Sequence, residues 1–333
     1  MSESNVPNLE QITRAFDFTR GATIETPLLE VEALATLSGA SRVFVKPESL
    51  QRTGSFKFRG AYWRVNQLTP AEKKRGVVAY SSGNFAQGLA AAARIADIPC
   101  TIVMPFDAPQ AKREGAESFG ARIVLSEHGD KPREEVASAM ARQISQEEGL
   151  TLLHPFDDSS IVAGQAGAGL EALEQFDRLG LPYPDTVFCC VGGGGLVGGV
   201  SLAFHYRSSS TKVIAVEPDG YDGMGQSLDA STITRAISSN PTICDALQAT
   251  APGSAPFAAV TKAGIGHVSV SDGAVRRAMR MAFETMKLVL EPSGAIAIAA
   301  LLESGRQFES KTVLCYATGG NITFENFSNL LAA

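Results

Sequence analysis

Short apolar runs rich in β-branched residues recur along the chain at 42–46, 77–80, 100–104, 122–125, 186–191, 213–216 and 312–316. Between several of them lie longer segments with helical periodicity, at 84–96, 109–119, 132–148, 160–179 and 272–288. The short runs predict strands and the periodic segments predict helices. Their alternation predicts an α/β fold of mainly parallel sheets flanked by helices. The strands are too numerous for one small sheet, and Pro- or Gly-bearing breaks at 68–70 and 153–155 predict a lobe inserted into another. The small lobe is expected at 68–152 and the large lobe at 1–67 plus 153–333, with Lys57 near their junction. Three strands run into loops of small and polar residues: Ser81-Ser82-Gly83-Asn84, the four glycines Gly192 to Gly195, and Thr318-Gly319-Gly320-Asn321. Open α/β sheets bind ligands at the C-terminal ends of their strands, so these three loops predict one cleft.

Composition narrows the function classes. With 333 residues and 44% apolar content the chain can fill a substantial core. A net charge of −6, without a stripe of Lys and Arg, excludes a nucleic-acid partner. Lys73-Lys74-Arg75 reads as a solvated helix end. The apolar stretches 196–204 and 295–302 are too short to span a membrane, and the polar segment 1–10 lacks the features of a secretory signal. Cys100, Cys189, Cys190, Cys244 and Cys315 show no metal-ligand spacing and read as reduced, buried thiols, which favours the cytoplasm. The four histidines have no HExxH context and no GxSxG elbow is present, so zinc hydrolysis and Ser-His-Asp chemistry are excluded.

Two features carry candidate chemistry. Lys57 stands between Phe56 and Phe58, and an apolar surround disfavours the ammonium and frees the amine for attack on a carbonyl. Gly192, Gly193, Gly194 and Gly195 stand between a strand and a helical pattern that begins near Leu196, where main-chain N–H groups converge on an anion. No Lys-Ser/Thr follows, so this is not a P-loop, and the Gly193, Gly195, Gly198 spacing matches a dinucleotide fingerprint only weakly. An amine for an aldehyde and an amide cradle for a phosphate together predict pyridoxal 5′-phosphate.

The motifs Ser55-Phe56-Lys57-Phe58-Arg59-Gly60-Ala61, Ser81-Ser82-Gly83-Asn84, Gly192 to Leu196, Glu291-Pro292-Ser293-Gly294-Ala295 and Thr318-Gly319-Gly320-Asn321 follow one another along the chain, and the resemblance they carry spans about residues 20–325. In this order the chain resembles the serine/threonine dehydratase and serine racemase group of fold type II pyridoxal-phosphate enzymes, two-domain proteins of tryptophan synthase β-like fold. The resemblance implies that Lys57 holds the cofactor through an imine, Phe56 packs on its ring and Asn84 bonds the ring hydroxyl. It also implies that the backbone of Gly192 to Leu196 holds the phosphate, that Glu291 lies near the ring and that Thr318 faces the pyridine nitrogen. A neutral hydroxyl there cannot keep that nitrogen protonated as an aspartate would, which favours loss of a β-substituent over transamination.

For the substrate, the resemblance implies carboxylate binding by Ser81, Ser82, Gly83, Asn84 and Phe85. Ser82 matches the acid/base of serine racemase, and a plain carboxylate-binding hydroxyl stays open beside that role. The chain departs from the family in having Phe85 where His is common and Asp245-Ala246-Leu247 where Asp-Gly-Val is frequent. A magnesium or calcium site is implied at Glu217 and the Tyr221 carbonyl, with the third acid displaced to Asp222; a solvated acidic loop is the alternative. The expected activity is β-elimination from L-threonine or L-serine to a 2-oxo acid and ammonia, by a homodimer acting on a small amino-acid substrate. 3-Hydroxyaspartate dehydration and serine racemisation stand as alternatives on the same scaffold. A non-catalytic amino-acid or nucleotide binding protein is the rival from another class.

Overall fold

Val187, Phe188, Cys189 and Cys190, like Val313 to Ala317, leave no polar face to their strands, so the sheet they build needs cover on both sides. The computed structural model describes residues 6–108, 110–129, 133–237 and 241–332. Numbered along the chain, the strands of the larger sheet lie in the order β1 (Leu29–Glu30), β2 (Arg42–Pro47), β10 (Thr312–Ala317), β7 (Thr186–Cys190), β8 (Lys212–Pro218) and β9 (Gly266–Val270). The smaller sheet has the order β5 (Arg122–Ser126), β4 (Cys100–Pro105), β3 (Val77–Tyr80) and β6 (Thr151–Leu152). Every ladder is parallel except the β1–β2 edge. The last strand of the chain enters the middle of the large sheet, where Cys315 lies opposite Val45 on one side and Phe188 on the other. Parallel pairing brings the ends of β2, β7, β8 and β10 to one edge, which is where the loops gather.

Helices cover both faces. The 20-residue helix Ser159–Arg178 is buried along most of its length and packs between the helices Lys57–Asn66 and Gly195–Arg207. Its start is fixed by the Asp158 side chain, which accepts the Ser160 N–H at 2.7 Å. Such a cap contributes about 1 kcal/mol. The helix Lys57–Asn66 begins where Ser55 bridges Gly319 and the Phe56 N–H bonds the Thr318 carbonyl at 3.2 Å. Complete burial of Phe58 just inside it stabilises this junction by about 2–3 kcal/mol.

The structure differs from the sequence expectation in places. The predicted helix 272–288 is regular only over Asp272–Met281 and then widens into a π turn, Ala282–Met286, ending at Lys287 with φ 57°. Thr285 contributes to this by donating its hydroxyl to the Met281 carbonyl at 2.6 Å. Strands β1 and β6 are two residues each, and β9 carries mostly exposed side chains, so none left an apolar run to read. The predicted helix starts at 109 and 132, and residues 1–5 of the polar N-terminal segment, lie outside the described residues. All five cysteines are free and buried. Among the described residues no helix is long and apolar enough to cross a membrane.

Candidate active site

Lys57 opens the helix Lys57–Asn66, and its amine reaches the segment that follows β6. Its Nζ donates to the Pro155 carbonyl at 3.4 Å and lies 5.1 Å from the Phe56 ring centroid and 5.9 Å from that of Phe85. Aromatic faces and a single carbonyl replace water poorly. Burial therefore pulls the amine down from 10.5 to about 8, against the opposing pull of Cys190 and Glu291.

The loops after β3, β7 and β10 meet around this amine. Asn84 Nδ2 donates to Glu291 Oε1 at 2.5 Å, and Asn84 Oδ1 accepts from Asn321 Nδ2 at 2.8 Å. Burial, with Asp245 nearby, pushes the Glu291 carboxyl up to about 7, although the Asn84 hydrogen bond works the other way. Thr318 is buried beneath, its hydroxyl 3.3 Å from Cys190 Sγ and 3.5 Å from the Ser293 carbonyl. The Cys190 thiol is neutral there, since burial raises it to about 11. Among the described residues no carboxylate bonds Thr318.

Two helix starts point into the same space. None of the main-chain N–H groups of Gly192 to Leu196 donates to a described residue, and the helix Gly195–Arg207 begins within that run. Gly194 has φ +94°, and a Cβ there would lie 2.7 Å from Met224 Cε, so this bend needs glycine. At the second start, the N–H groups of Ser82, Asn84 and Phe85 are likewise unengaged before the helix Asn84–Ile95, while the Gly83 N–H is taken by Ser81 Oγ at 3.3 Å. Ser82 is half-buried and its hydroxyl bonds no described residue. This geometry fits pyridoxal phosphate: a partly neutral amine for the aldehyde, free amides at a helix start for the phosphate, and an amide side chain with a neutral hydroxyl for the ring edges.

The residues considered for a cation are arranged otherwise. Both oxygens of Glu217 accept main-chain N–H groups at the start of the helix Gly223–Ala230, from Met224 at 2.8 Å and Gly225 at 2.9 Å. Burial raises this carboxyl to about 7. Asp222 Oδ1 accepts from Gln226 Nε2 at 3.1 Å, and the Tyr221 N–H donates to the Pro218 carbonyl at 2.9 Å. Among the described residues no three His, Cys, Asp or Glu side chains gather as a metal site.

Sequence reasoning missed the Pro155 carbonyl, the Cys190 thiol below Thr318 and any role for Asn321 beyond its place in a motif. A main-chain acceptor has no residue-type signal, and Cys190 reads in sequence as one more apolar position of β7.

The family described as pyridoxal-phosphate dependent enzyme matches residues 19–319. An L-threo-3-hydroxyaspartate ammonia-lyase from a Pseudomonas species is 37% identical over 321 residues, covering 96% of this chain and 97% of the relative. Serine racemase of Schizosaccharomyces pombe is 33% identical over 334 residues, covering 100% of both. Among solved structures, a T.th. threonine deaminase is similar with a TM-score of 0.88 at 38% identity, over 96% of this chain and 99% of that one. Likeness of this extent covers both sheets and all three strand-end loops, and it shows that the chain belongs to the pyridoxal-phosphate dependent enzymes, in their fold type II architecture.

Proposed function

We propose that the protein is a pyridoxal-phosphate-dependent ammonia-lyase that eliminates the β-hydroxyl from L-threonine or L-serine, yielding a 2-oxo acid and ammonia. The observation that carries this reading is the Lys57 amine, with its ammonium disfavoured, set among two helix starts with unengaged amides. The bound cofactor supplies an electron sink for the pair left when Cα loses its proton. Lys57 would hold that cofactor and, as a free amine, would take the Cα proton at Nζ. The amides of Ser82, Asn84 and Phe85, with Ser81, hold the substrate carboxylate at the helix start, where negative charge is favoured. Phe56 would pack along the ring, Asn84 would bond its hydroxyl, Gly192 to Leu196 would hold its phosphate, and Glu291 and Thr318 would line its remaining edges. Thr318, whose hydroxyl meets only a thiol and a carbonyl among the described residues, brings no charge that would deepen the sink, which supports expulsion of the hydroxyl.

3-Hydroxyaspartate is the leading alternative substrate, in line with the activity named for a 37% identical relative. Assaying keto-acid release from serine, threonine and both 3-hydroxyaspartate diastereomers decides between them. No release from any of the four would overturn the lyase reading and favour a binding protein. Racemisation is a second reading supported by Ser82, whose hydroxyl has no partner among the described residues to occupy it. Ser82→Ala is expected to lower racemisation at least roughly tenfold more than elimination, a tenth of what a positioned acid–base group typically contributes at the low end of its range. Equal loss of both activities removes that role.

The divalent cation stays outside this reading, because Glu217 is committed to the start of the helix Gly223–Ala230. Chelating divalent ions is expected to leave keto-acid release unchanged. A loss restored by magnesium or calcium would return Glu217, the Tyr221 carbonyl and Asp222 to ligand roles. The reading extends to a homodimer, which sedimentation of the purified protein checks, and to the cytoplasm, whose reducing conditions suit five buried free thiols. The inserted lobe 68–152, which contains β3 to β6, is proposed as the smaller domain.

A further inference from the structure

We infer that Asn321 is a positioning residue which, by donating to both the Thr53 carbonyl and Asn84 Oδ1, fixes the Asn84 amide with its NH2 toward the cofactor's ring hydroxyl. The inference rests on the proposed placing of that hydroxyl beside Asn84.

A carboxamide can turn over by 180° with little change of shape, so its orientation is set by what its partners can accept and donate. The main-chain carbonyl of Thr53 can only accept. The group of Asn321 that faces it at 2.8 Å is therefore the NH2, and the same NH2 lies 2.8 Å from the Asn84 side-chain oxygen. With its oxygen turned to Asn321, Asn84 has its NH2 on the opposite side, where one proton goes to Glu291 Oε1 at 2.5 Å and the other is left for a ligand. Glu291 alone does not impose this. Burial holds its carboxyl near neutrality, and a protonated carboxyl can donate to an oxygen as readily as it accepts from an NH2.

The surroundings are shaped for this chain of contacts. Thr53 holds the left-handed conformation, φ 63°, that turns its carbonyl to Asn321. A Cβ on Gly319 would lie 2.1 Å from Glu291 Oε1 and 3.1 Å from Asn84 Nδ2, so the Glu291–Asn84 pair occupies the space a side chain would take. An NH2 directed at the ring oxygen favours its anionic form, whereas a carboxamide oxygen there favours the protonated hydroxyl. The two forms absorb in the near-visible and near-ultraviolet respectively, so the orientation has an optical signature.

The test is the absorption spectrum of cofactor-loaded wild type, Asn321→Asp, Asn321→Ala and Asn84→Ala at equal cofactor content. Asn321→Asp is isosteric but can only accept, which turns the Asn84 NH2 away from the ring. It is expected to move the ratio of near-visible to near-ultraviolet absorbance roughly fivefold toward the near-ultraviolet, the factor that one net hydrogen bond confers. Asn321→Ala, which leaves Asn84 free to turn, should fall between. An unchanged ratio in Asn321→Asp overturns the inference. If that variant does not fold, an unchanged ratio in Asn321→Ala does so instead. An unchanged ratio in Asn84→Ala shows that the placing of the ring hydroxyl itself has failed, whereas a shift there without one in the Asn321 variants removes Asn321 alone.

Discussion

Lys57→Ala is expected to reduce keto-acid release by at least roughly a thousandfold, within the range that a positioned acid–base group contributes. The variant loses the covalent anchor and the base at Cα together. It should still take up the cofactor, because the amides of Gly192 to Leu196 remain, but borohydride will no longer fix it to the protein. Full dehydratase activity in this variant would end the proposed mechanism. The same amine sets a pH dependence in the wild type. With its value lowered to about 8, roughly one Lys57 in ten is neutral at pH 7, against roughly one in three thousand for an ordinary lysine. Capture of added cofactor by the cofactor-free protein should accelerate about tenfold per pH unit below that value and level off above it. Linkage fixes the sign of the stability effect: between about 8 and 10.5 the folded protein binds fewer protons at Lys57 than the unfolded chain does. The cofactor-free protein therefore gains stability from this group as pH rises through that window, and the cost of burying the ammonium is present in full below it. Denaturant midpoints measured on either side of the window check the sign.

The central strands were legible because burial on both faces leaves apolar stretches in each, Val43 to Val45 in β2, Val187 to Cys190 in β7, Val213 to Val216 in β8 and Val313 to Ala317 in β10, and composition marks these even though Lys46 and Glu217 are buried beside them. The helix Lys57–Asn66 was not. Its buried face contains Arg59 beside Phe58 and Ala61, and a charged residue at a core position breaks the apolar periodicity on which such a reading depends. The site was legible where chemistry requires a side chain or a glycine on a short loop. It was illegible where the partner is distant or main-chain: Asn321 pairs with Thr53 and Asn84 across 268 and 237 residues of sequence. Glu217 shows the converse, since its residue type suits a cation, yet the N–H groups of Met224 and Gly225 claim both oxygens. Residue type names candidates for a role, and the backbone that folds up to them decides which role is filled.

Arg59→Met is expected to destabilise the protein by about 3–5 kcal/mol, the cost typical of removing one partner from a buried ion pair. Arg59 is fully buried two residues after Lys57. Its Nε and Nη2 hold Glu48 at 2.7 and 2.8 Å, while Nη2 and Nη1 hold Glu171 at 2.8 and 3.1 Å. Lys46, also fully buried, completes the group through Glu171 at 2.6 Å, the Thr26 carbonyl at 2.6 Å and Gln175 at 2.8 Å. Two cations thus face two buried carboxylates, and of the two it is the guanidinium that forks onto both acids. Methionine would fill the volume but leave two buried carboxylates facing one ammonium. That loss is a large part of the roughly 5–15 kcal/mol that holds a folded protein together. Arg59→Lys keeps the charge but, as a point donor on a shorter reach, cannot fork onto Glu48 and Glu171 together, and should recover only part of the loss. Because Glu48 follows β2, Glu171 belongs to the helix Ser159–Arg178 and Arg59 lies in the first turn of the helix that Lys57 opens, the group also fixes where the reactive amine stands. Urea unfolding of the cofactor-free variants measures the effect directly. A change in stability below about 0.5 kcal/mol for Arg59→Met, the scale of an ordinary surface substitution, would show that the group is dispensable for the fold.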